Sequence, residues 1–238
     1  LDTNEQLEFL KKLNFSEELT MLDLNNDSKN YKFNINNSFF TKGDAEIYYQ
    51  IIRYAKPNKI IEIGSGQSTL VALEAIKKNK DKDSKSTKLI CIEPYENNWL
   101  ESLNIPVIRK KIEDINFDNK ETSLNSGDIL FIDSSHIIRP YGDVLKIYLE
   151  ILPRLKSGVI IHIHDIFTPK NYLKKWLEED VFFWNEQYLL EALLTNTAKY
   201  KVICSLNYLK HNYYENLKNA CPYLDKLAEP GSFYIRKN

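Results

Sequence analysis

The chain has 238 residues and a formal net charge of −1, with 43% hydrophobic and 27% charged residues. This length fits one α/β domain with small additions, and the near-neutral charge gives no global attraction to nucleic acid or to an anionic membrane. No apolar run approaches the roughly 20 residues that span a bilayer, and no signal peptide is recognisable. The three cysteines lack metal-like spacing, so a reducing cytoplasm is expected.

The first 56 residues are predicted to form two helices joined by a loop. Leu7, Leu10 and Phe15 fall near helical spacing in the first segment. Residues 25–37 are rich in asparagine, which is typical of a loop. A second helix is predicted over residues 44–56, and Pro57 ends it before the first strand.

Strands then alternate with helices along the chain. Strands are predicted over residues 59–63, 88–93, 106–110, 128–133 and 159–163, with two more at 200–204 and 232–235. Helices are predicted over residues 67–79, 97–103, 141–155 and 185–195. This alternation favours a parallel sheet with helices on both faces. Near-continuous apolar strands, such as I-L-F-I, indicate that both faces are buried.

A turn rich in glycine follows the first strand. Residues 60–70 read I-I-E-I-G-S-G-Q-S-T-L, and glycines at such a turn let a ligand approach main-chain N–H groups. Glu93 ends the second strand, where a carboxylate can bind a ribose diol in NAD-type and S-adenosylmethionine (SAM)-type sites. A dinucleotide fingerprint would need its third glycine at Thr69 and its acidic residue roughly 20 residues further on, nearer than Glu93. The pattern therefore favours SAM over a dinucleotide.

Further motifs follow in order: D-S-S-H at residues 133–136, H-D-I-F at 164–167, W-N-E-Q-Y at 184–188 and G-S-F-Y near the end. With E-I-G-S-G-x-S-T they resemble a bacterial branch of the class I SAM-dependent methyltransferases. The resemblance implies a Rossmann-like α/β fold with a mostly parallel seven-stranded sheet. It also implies a methyltransferase domain over residues 39–238, behind an N-terminal extension over residues 1–38, with a lid-like insertion at 168–184.

The resemblance assigns cofactor contacts residue by residue. The methionine part of SAM would lie against Glu62, Gly64, Ser65, Gly66 and Ser68. Glu93 would hold the ribose, Ile112, Glu113 and Asp114 would border the adenine, and Asp133 would lie beside the sulfonium. Ser68 stands where the family motif has a glycine-like position.

Polar residues follow the fourth and fifth strands, whose ends are expected to converge. Methyl transfer requires the nucleophile and the methyl group within about 3–3.5 Å of each other, and a base adds roughly 10² to 10⁴-fold in rate. His164 is the predicted base, with Asp165 orienting it, and His136 is its rival. His162 shares a strand face with His164 but is interpreted as a core histidine.

A divalent metal is the less favoured hypothesis for the same residues. Asp133, Asp165 and His136 are the ligands that the sequence offers, and an imidazole suits an ion like Mn²⁺ or Zn²⁺ better than Mg²⁺. The catechol-type pattern has a second oxygen ligand after the last aspartate, where this chain has Ile166.

Residues before and within the next helix are candidates for binding the acceptor. Asn185, Glu186 and Gln187 open that helix, and Tyr172 and Trp184 belong to an aromatic segment that could cover a sugar ring. The alternative is structural: Asn185 as a helix N-cap and the aromatic residues as a core of the insertion.

The function predicted from the sequence is SAM-dependent O-methylation of a small-molecule or glycan-related acceptor. An NAD-dependent oxidoreductase and a non-catalytic SAM-binding module are the alternatives. A terminal antiparallel strand in the sheet would disfavour the first, and the Asp and His cluster disfavours the second. A homodimer is compatible with the sequence, and the acceptor atom is left open.

Overall fold

The computed structural model describes residues 1–22, 31–117, 119–195 and 197–238. Part of the asparagine-rich stretch, residues 25–30, lies outside these ranges. The helices are α1 (Thr3–Lys12), α2 (Ser16–Met21), α3 (Asp44–Ala55), α4 (Gln67–Asp83), α5 (Asp143–Lys146), α6 (Leu152–Arg154), α7 (Lys174–Glu178), α8 (Glu186–Leu194), α9 (Leu206–Asn212) and α10 (Tyr214–Ala220). The strands are β1 (Lys59–Ile63), β2 (Lys88–Ile92), β3 (Val107–Ile108), β4 (Ile129–Ile132), β5 (Ile160–Ile163), β6 (Tyr200–Ser205) and β7 (Phe233–Lys237).

The seven strands form one sheet in the order β3-β2-β1-β4-β5-β7-β6. All neighbours pair in parallel except β7, which runs antiparallel between β5 and β6. The strand order reverses direction between β1 and β4, which is where open α/β sheets bind ligands at their carboxyl ends. The predicted seven-stranded, mostly parallel sheet and its inserted antiparallel strand are confirmed.

The register of the sheet brings four strand ends to one level. Ile63 of β1 pairs with Ile92 of β2 and with Ile132 of β4, and Ile132 pairs with Ile163 of β5. The residues that follow these four isoleucines are therefore neighbours at the carboxyl edge. They are Gly64, Glu93, Asp133 and His164.

The sheet is buried on both faces, which explains its continuous apolar strands. Phe131 packs with residues of α3, α4, α9 and α10 on one face, whereas Leu130 and Ile132 pack with residues of α5, α6 and α8 on the other. The N-terminal helices join the first of these layers through Leu10 and Leu19. Within the described ranges, no helix is long and apolar enough to cross a membrane.

Candidate active site

The turn after β1 requires glycine for a steric reason. Gly64 has a φ of +80°, and a Cβ built on it would lie 1.7 Å from the carbonyl oxygen of Asp133. A side chain here would push the ends of β1 and β4 apart. Gly66 then precedes the first turn of α4, and the N–H groups of a helix start favour a negatively charged ligand group.

A cleft of two adjoining cavities, of about 390 and 400 Å³, runs over the carboxyl ends of the strands. Both cavities are lined by Gly64, Glu93 and Asp133. The first also contains Ile112 and Glu113; the second contains Ser65, Gly66 and Ser68. These predicted cofactor residues therefore share one cleft, and their contact with SAM stays a prediction. Asp114 is exposed and does not line either cavity.

Glu93 is fixed by main-chain N–H groups on both sides of the cleft. Its Oε1 accepts hydrogen bonds from Tyr95 and Glu96, each at 3.0 Å, and its Oε2 accepts one from Ser65 at 3.3 Å. An ionised carboxylate has about four acceptor positions. Glu93 therefore keeps about one acceptor position, on Oε2, for a ligand hydroxyl, while its orientation is set by the protein.

Glu62 corrects one expectation from the sequence. Its side chain is fully buried beneath the glycine turn instead of lining the methionine side of the cleft. It accepts hydrogen bonds from Thr69 at 2.5 Å and from Tyr48 at 3.2 Å. Burial raises its pKa to about 7, although these hydrogen bonds oppose the shift. Glu62 thus ties β1 to α3 and α4, and its role is structural.

The predicted catalytic residues converge at the ends of β4 and β5. His136 Nε2 lies 3.1 Å from Asp133 Oδ1 and 3.8 Å from Asp165 Oδ2. His164 Nδ1 lies 3.6 Å from both Asp133 Oδ2 and Asp165 Oδ2. His136 and Asp165 have φ values of +57° and +58°, an uncommon backbone region that is often found at functional sites. All four residues line the second cavity.

His136 has a carboxylate at each ring nitrogen. Its Nδ1 lies 2.8 Å from Glu186 Oε2, and its Nε2 contacts Asp133. An ionised carboxylate only accepts hydrogen bonds, so both ring nitrogens donate when the imidazole is protonated. Burial alone would lower the pKa of His136, but the bonds to Asp133 and Glu186 raise it to about 10. This histidine is therefore a cation at neutral pH.

His164 lies among three carboxylates, one of which the sequence analysis missed. Its Nε2 is 3.7 Å from Asp44 Oδ2, in addition to the contacts with Asp133 and Asp165. Asp44 begins α3 and accepts main-chain hydrogen bonds from Gly231 and Ser232. Burial opposes protonation of His164, yet the carboxylates raise its pKa well above the ordinary value. A buried aspartate at a helix start gives no distinctive pattern in the sequence.

The two aspartates of the cluster differ in proton affinity. Burial opposes ionisation of Asp133, but His164 and His136 hold its pKa well below the usual range. Burial raises the pKa of Asp165 to about 6, against the charges of the same two histidines. Asp165 is therefore the stronger proton acceptor of the two carboxylates.

His162 lies in the core, as the sequence indicated. Its Nε2 is 2.8 Å from Ser232 Oγ, and its ring lies 4.1 Å from that of Tyr234. Burial lowers its pKa well below the ordinary value, and the positive charge of His164 acts in the same direction. His162 is therefore neutral and supports the site from below.

Residues 61–166 match the family model of a methyltransferase domain. The match covers less than half of the chain. Together with the strand order and the cleft, it supports the sequence-based assignment to the class I SAM-dependent methyltransferases.

Three comparisons with single proteins accompany the family match. An uncharacterised protein of Archaeoglobus fulgidus is 34% identical over 92 residues, which cover 37% of this chain and 40% of that protein. The O-methyltransferase TomG of Streptomyces achromogenes, solved with SAM, is 13% identical over 97% of this chain and 90% of its own, with a TM-score of 0.52. An O-methyltransferase of Bacillus cereus, solved with SAH, is 12% identical over 97% of this chain and 91% of its own, with a TM-score of 0.47.

The structure at the start of α8 corrects three acceptor predictions. Glu186 and Gln187 are fully buried, and Tyr172 is 3% exposed. Glu186 binds His136, whereas Gln187 Oε1 accepts from Phe167 N at 2.7 Å and Gln187 N donates to Tyr172 Oη at 3.0 Å. These bonds tie the start of α8 to the loop after β4 and to residues 167–172, so the three side chains contact protein groups in this structure instead of lining the cavity.

The structure places the side chains of Asn185 and Trp184 differently with respect to the cavity. Asn185 is the N-cap residue of α8, but its side chain makes no capping hydrogen bond; its Oδ1 accepts one from Ile138 N at 2.6 Å instead. Trp184 lines the second cavity, and its ring lies 4.4 Å from that of His136. Phe182 stacks on Trp184 at 4.8 Å. Trp184 is therefore the one predicted acceptor residue on the cavity wall, and Asn185 instead fixes the loop after β4.

Two neighbouring phenylalanines complete the cavity and were not predicted. Phe39 lines it while 79% exposed, and Phe40 is buried with its ring 5.1 Å from that of His164. Asn37 Oδ1 accepts the main-chain hydrogen bonds of both phenylalanines. Because this turn is fixed, Phe39 presents its ring at the mouth of the cavity.

Proposed function

We propose that the chain is a SAM-dependent O-methyltransferase that acts on a hydroxyl group of a small molecule or a glycan-related acceptor. The observation that carries the proposal is the cluster of Asp133, His136, His164 and Asp165, which faces the glycine turn across one cleft. The TomG structure, an O-methyltransferase solved with SAM, supports this choice through the shared fold.

The cleft offers a matching group for each part of the cofactor. Glu93 would accept a hydrogen bond from the ribose, and the N-terminus of α4 would bind the methionine carboxylate. Asp133 would face the sulfonium. Its low pKa keeps it negatively charged, and that charge would stabilise the positive sulfonium. Bound SAM supplies an electrophilic methyl group at that point.

The acceptor oxygen would reach the methyl group from the side of Asp165 and Trp184. As the oxygen–methyl bond forms and the methyl–sulfur bond breaks, the hydroxyl proton must pass to a base. We assign that role to Asp165 instead of His164, because His164 holds its own proton among three carboxylates. His136 is excluded for the same reason, since carboxylates occupy both its nitrogens.

A divalent cation is a second candidate for the same cluster. The ligand atoms of Asp133, His136 and Asp165 lie within 4.8 Å of one another. Glu186 would keep the proton on His136 Nδ1 and leave Nε2 for the metal, which is a usual outer-shell arrangement. Two carboxylates and one imidazole suit an ion like Mn²⁺. Such an ion would polarise the acceptor hydroxyl and lower its pKa.

The two alternative functions considered in the sequence analysis have less support. The β-branched Thr69 and the antiparallel β7 disfavour an NAD-dependent oxidoreductase. A binding module would have no need of the paired histidines and carboxylates in its cleft. The three cysteines are free and buried, which supports the proposal of a reducing, cytoplasmic compartment.

Calorimetric titration with SAH and with NAD⁺ tests the cofactor directly. We expect binding of SAH and none of NAD⁺. Glu93→Gln keeps the shape of the side chain but removes its charge, so it should weaken SAH binding by roughly tenfold or more. Asp114→Asn, on the exposed residue nearby, is the matched control and should bind normally. Binding of NAD⁺ without SAH would overturn the proposal.

A further inference from the structure

The loop over residues 93–97 covers the glycine turn. Asn97 donates a hydrogen bond from Nδ2 to the carbonyl oxygen of Ser65 at 2.8 Å and accepts one from Trp99 Nε1 at 3.1 Å. A Cβ built on Gly66 would lie 3.1 Å from Asn97 Nδ2. Asn97 lines the second cavity with Ser65 and Gly66, and it lies against the residue that precedes α4.

The Asn97 side chain is suited to bind a carboxylate. Its amide nitrogen carries two N–H groups, of which one binds Ser65. Because Asn97 lines the cavity, the other would be available to a ligand there. Asn97 has a φ of +56°, a left-handed conformation that asparagine adopts more readily than most residues.

Arg109 holds this loop from the other side. It follows β3 and donates hydrogen bonds to the carbonyl oxygens of Glu93 at 3.0 Å, Glu96 at 2.5 Å and Asn97 at 3.1 Å. The same guanidinium binds both carboxylate oxygens of Glu101, at 2.7 and 2.8 Å. One rigid, planar cation therefore organises three carbonyls, which the point charge of a lysine cannot reproduce.

We propose that Asn97 contacts the amino-acid part of the cofactor and that Arg109 is a positioning residue for Asn97 and Glu93. This inference rests on the proposed SAM dependence. When Arg109 is removed, the three carbonyls lose their common donor and the 93–97 loop relaxes. Asn97 then leaves Gly66, and Glu93 leaves the position from which it would bind a ribose.

The test of Asn97 compares SAH with 5′-methylthioadenosine, which has the same nucleoside and lacks the amino-acid part. Asn97→Ala should raise the Kd of SAH by roughly tenfold and leave that of methylthioadenosine within about threefold, because one bond to a carboxylate is lost. A general disturbance of the loop would weaken both ligands equally, and that result would contradict the direct contact.

The test of Arg109 uses the same two ligands. Arg109→Met should raise the Kd of both by roughly tenfold or more, and Arg109→Lys should give an intermediate loss. Glu101→Gln is the matched control: it removes the ion pair, leaves the three carbonyl bonds, and should stay within about threefold of the unmodified protein. Thermal unfolding without ligand checks that each variant is folded.

Normal SAH binding by folded Arg109→Met or Arg109→Lys protein overturns the positioning role. Should the unmodified protein bind neither SAH nor methylthioadenosine, the proposed function itself fails, which is a different outcome from the failure of either variant.

Discussion

Glu186 accepts a hydrogen bond from His136 across 2.8 Å and thereby joins the first turn of α8 to the loop after β4. Glu186 is fully buried, and His136 is 3% exposed. A buried carboxylate of this kind fixes the orientation of the imidazole and favours its charged form. Glu186 of the W-N-E-Q-Y motif therefore contacts the site through His136, whereas Trp184 of the same motif lines the cavity itself.

Glu186→Gln should lower the pKa of His136, because it replaces a charge-assisted acceptor by a neutral one. The loss of about 1.5–3 kcal/mol corresponds to roughly one to two pKa units. The measurement is an NMR titration of the histidine ring nitrogens in protein treated with EDTA. Glu191→Gln, five residues further along α8 and bonded to Thr168, is the control. An unchanged His136 titration in Glu186→Gln would disprove the electrostatic role.

The choice between Asp165 and His164 as base predicts pH profiles that rise in different pH ranges. Asp165 has a pKa raised to about 6 by burial, so its proton-accepting form is lost as the pH falls through 6. If Asp165 is the base, kcat/KM of metal-free protein rises through pH 6 and levels off above it. His164 has a pKa well above its usual value, so a His164 base would give activity that rises only in the alkaline range.

Substitutions also distinguish Asp165 from His164 as the base. The measurement is kcat with any hydroxylated acceptor that a screen identifies. Asp165→Asn should lower kcat by about 10² or more and keep SAH binding. His164→Gln should lower kcat less, because it removes a cation that orients the two carboxylates and not the base. A profile that rises only above neutral pH, with His164→Gln inactive, would restore His164 as the base.

The strands were predictable from the sequence because each is a short apolar run that ends at a polar or glycine residue. β1 has the predicted bounds, Lys59–Ile63. In contrast, α9 and α10 were missed, since Leu206, Leu209 and Leu217 bury their side chains within segments rich in Asn, Tyr and His, which have weak helix propensity. Tertiary packing stabilises these helices.

The site was predictable where it follows the strand ends and not where it depends on side-chain partners. Asp133, His136, His164 and Asp165 converge because parallel strands bring their carboxyl ends together. The partner of His164 that begins α3, Asp44, is 120 positions earlier in the chain, and nothing in its local sequence marks it. Glu62 was misassigned because its motif position does not reveal that its side chain points below the turn.

The metal hypothesis predicts a stabilising cation. Mn²⁺ added to EDTA-treated protein should raise the midpoint of thermal unfolding, because an ion that binds only the folded state stabilises it by mass action. Asp133→Asn and Asp165→Asn should abolish the shift, whereas Asp114→Asn, on an exposed side chain, should keep it. If Mn²⁺, Zn²⁺ and Mg²⁺ all leave the midpoint unchanged, the cluster works without a metal.

The buried Glu62 side chain should make the free energy of unfolding depend on pH, independently of the pH dependence of catalysis. Its pKa is about 7 in the folded protein, against a reference value of 4.5. Between these values the folded state binds more protons than the unfolded state, so the stability that Glu62 contributes is present below pH 4.5 and is lost as the pH rises through 7. The difference corresponds to at most about 3 kcal/mol.

Glu62→Gln should remove this part of the pH dependence, because a neutral amide fills the same space between Thr69 and Tyr48. The measurement is urea unfolding at pH 5 and pH 8, with the free energies compared between the two proteins. Other groups, including Glu46 with its pKa raised to about 7 by burial, titrate in both and cancel in the comparison. Glu150→Gln, on a half-exposed side chain, is the control. Between pH 5 and pH 8, we expect Glu62→Gln to lose less stability than the unmodified protein. Equal losses would mean that Glu62 is already ionised in the folded protein at pH 5.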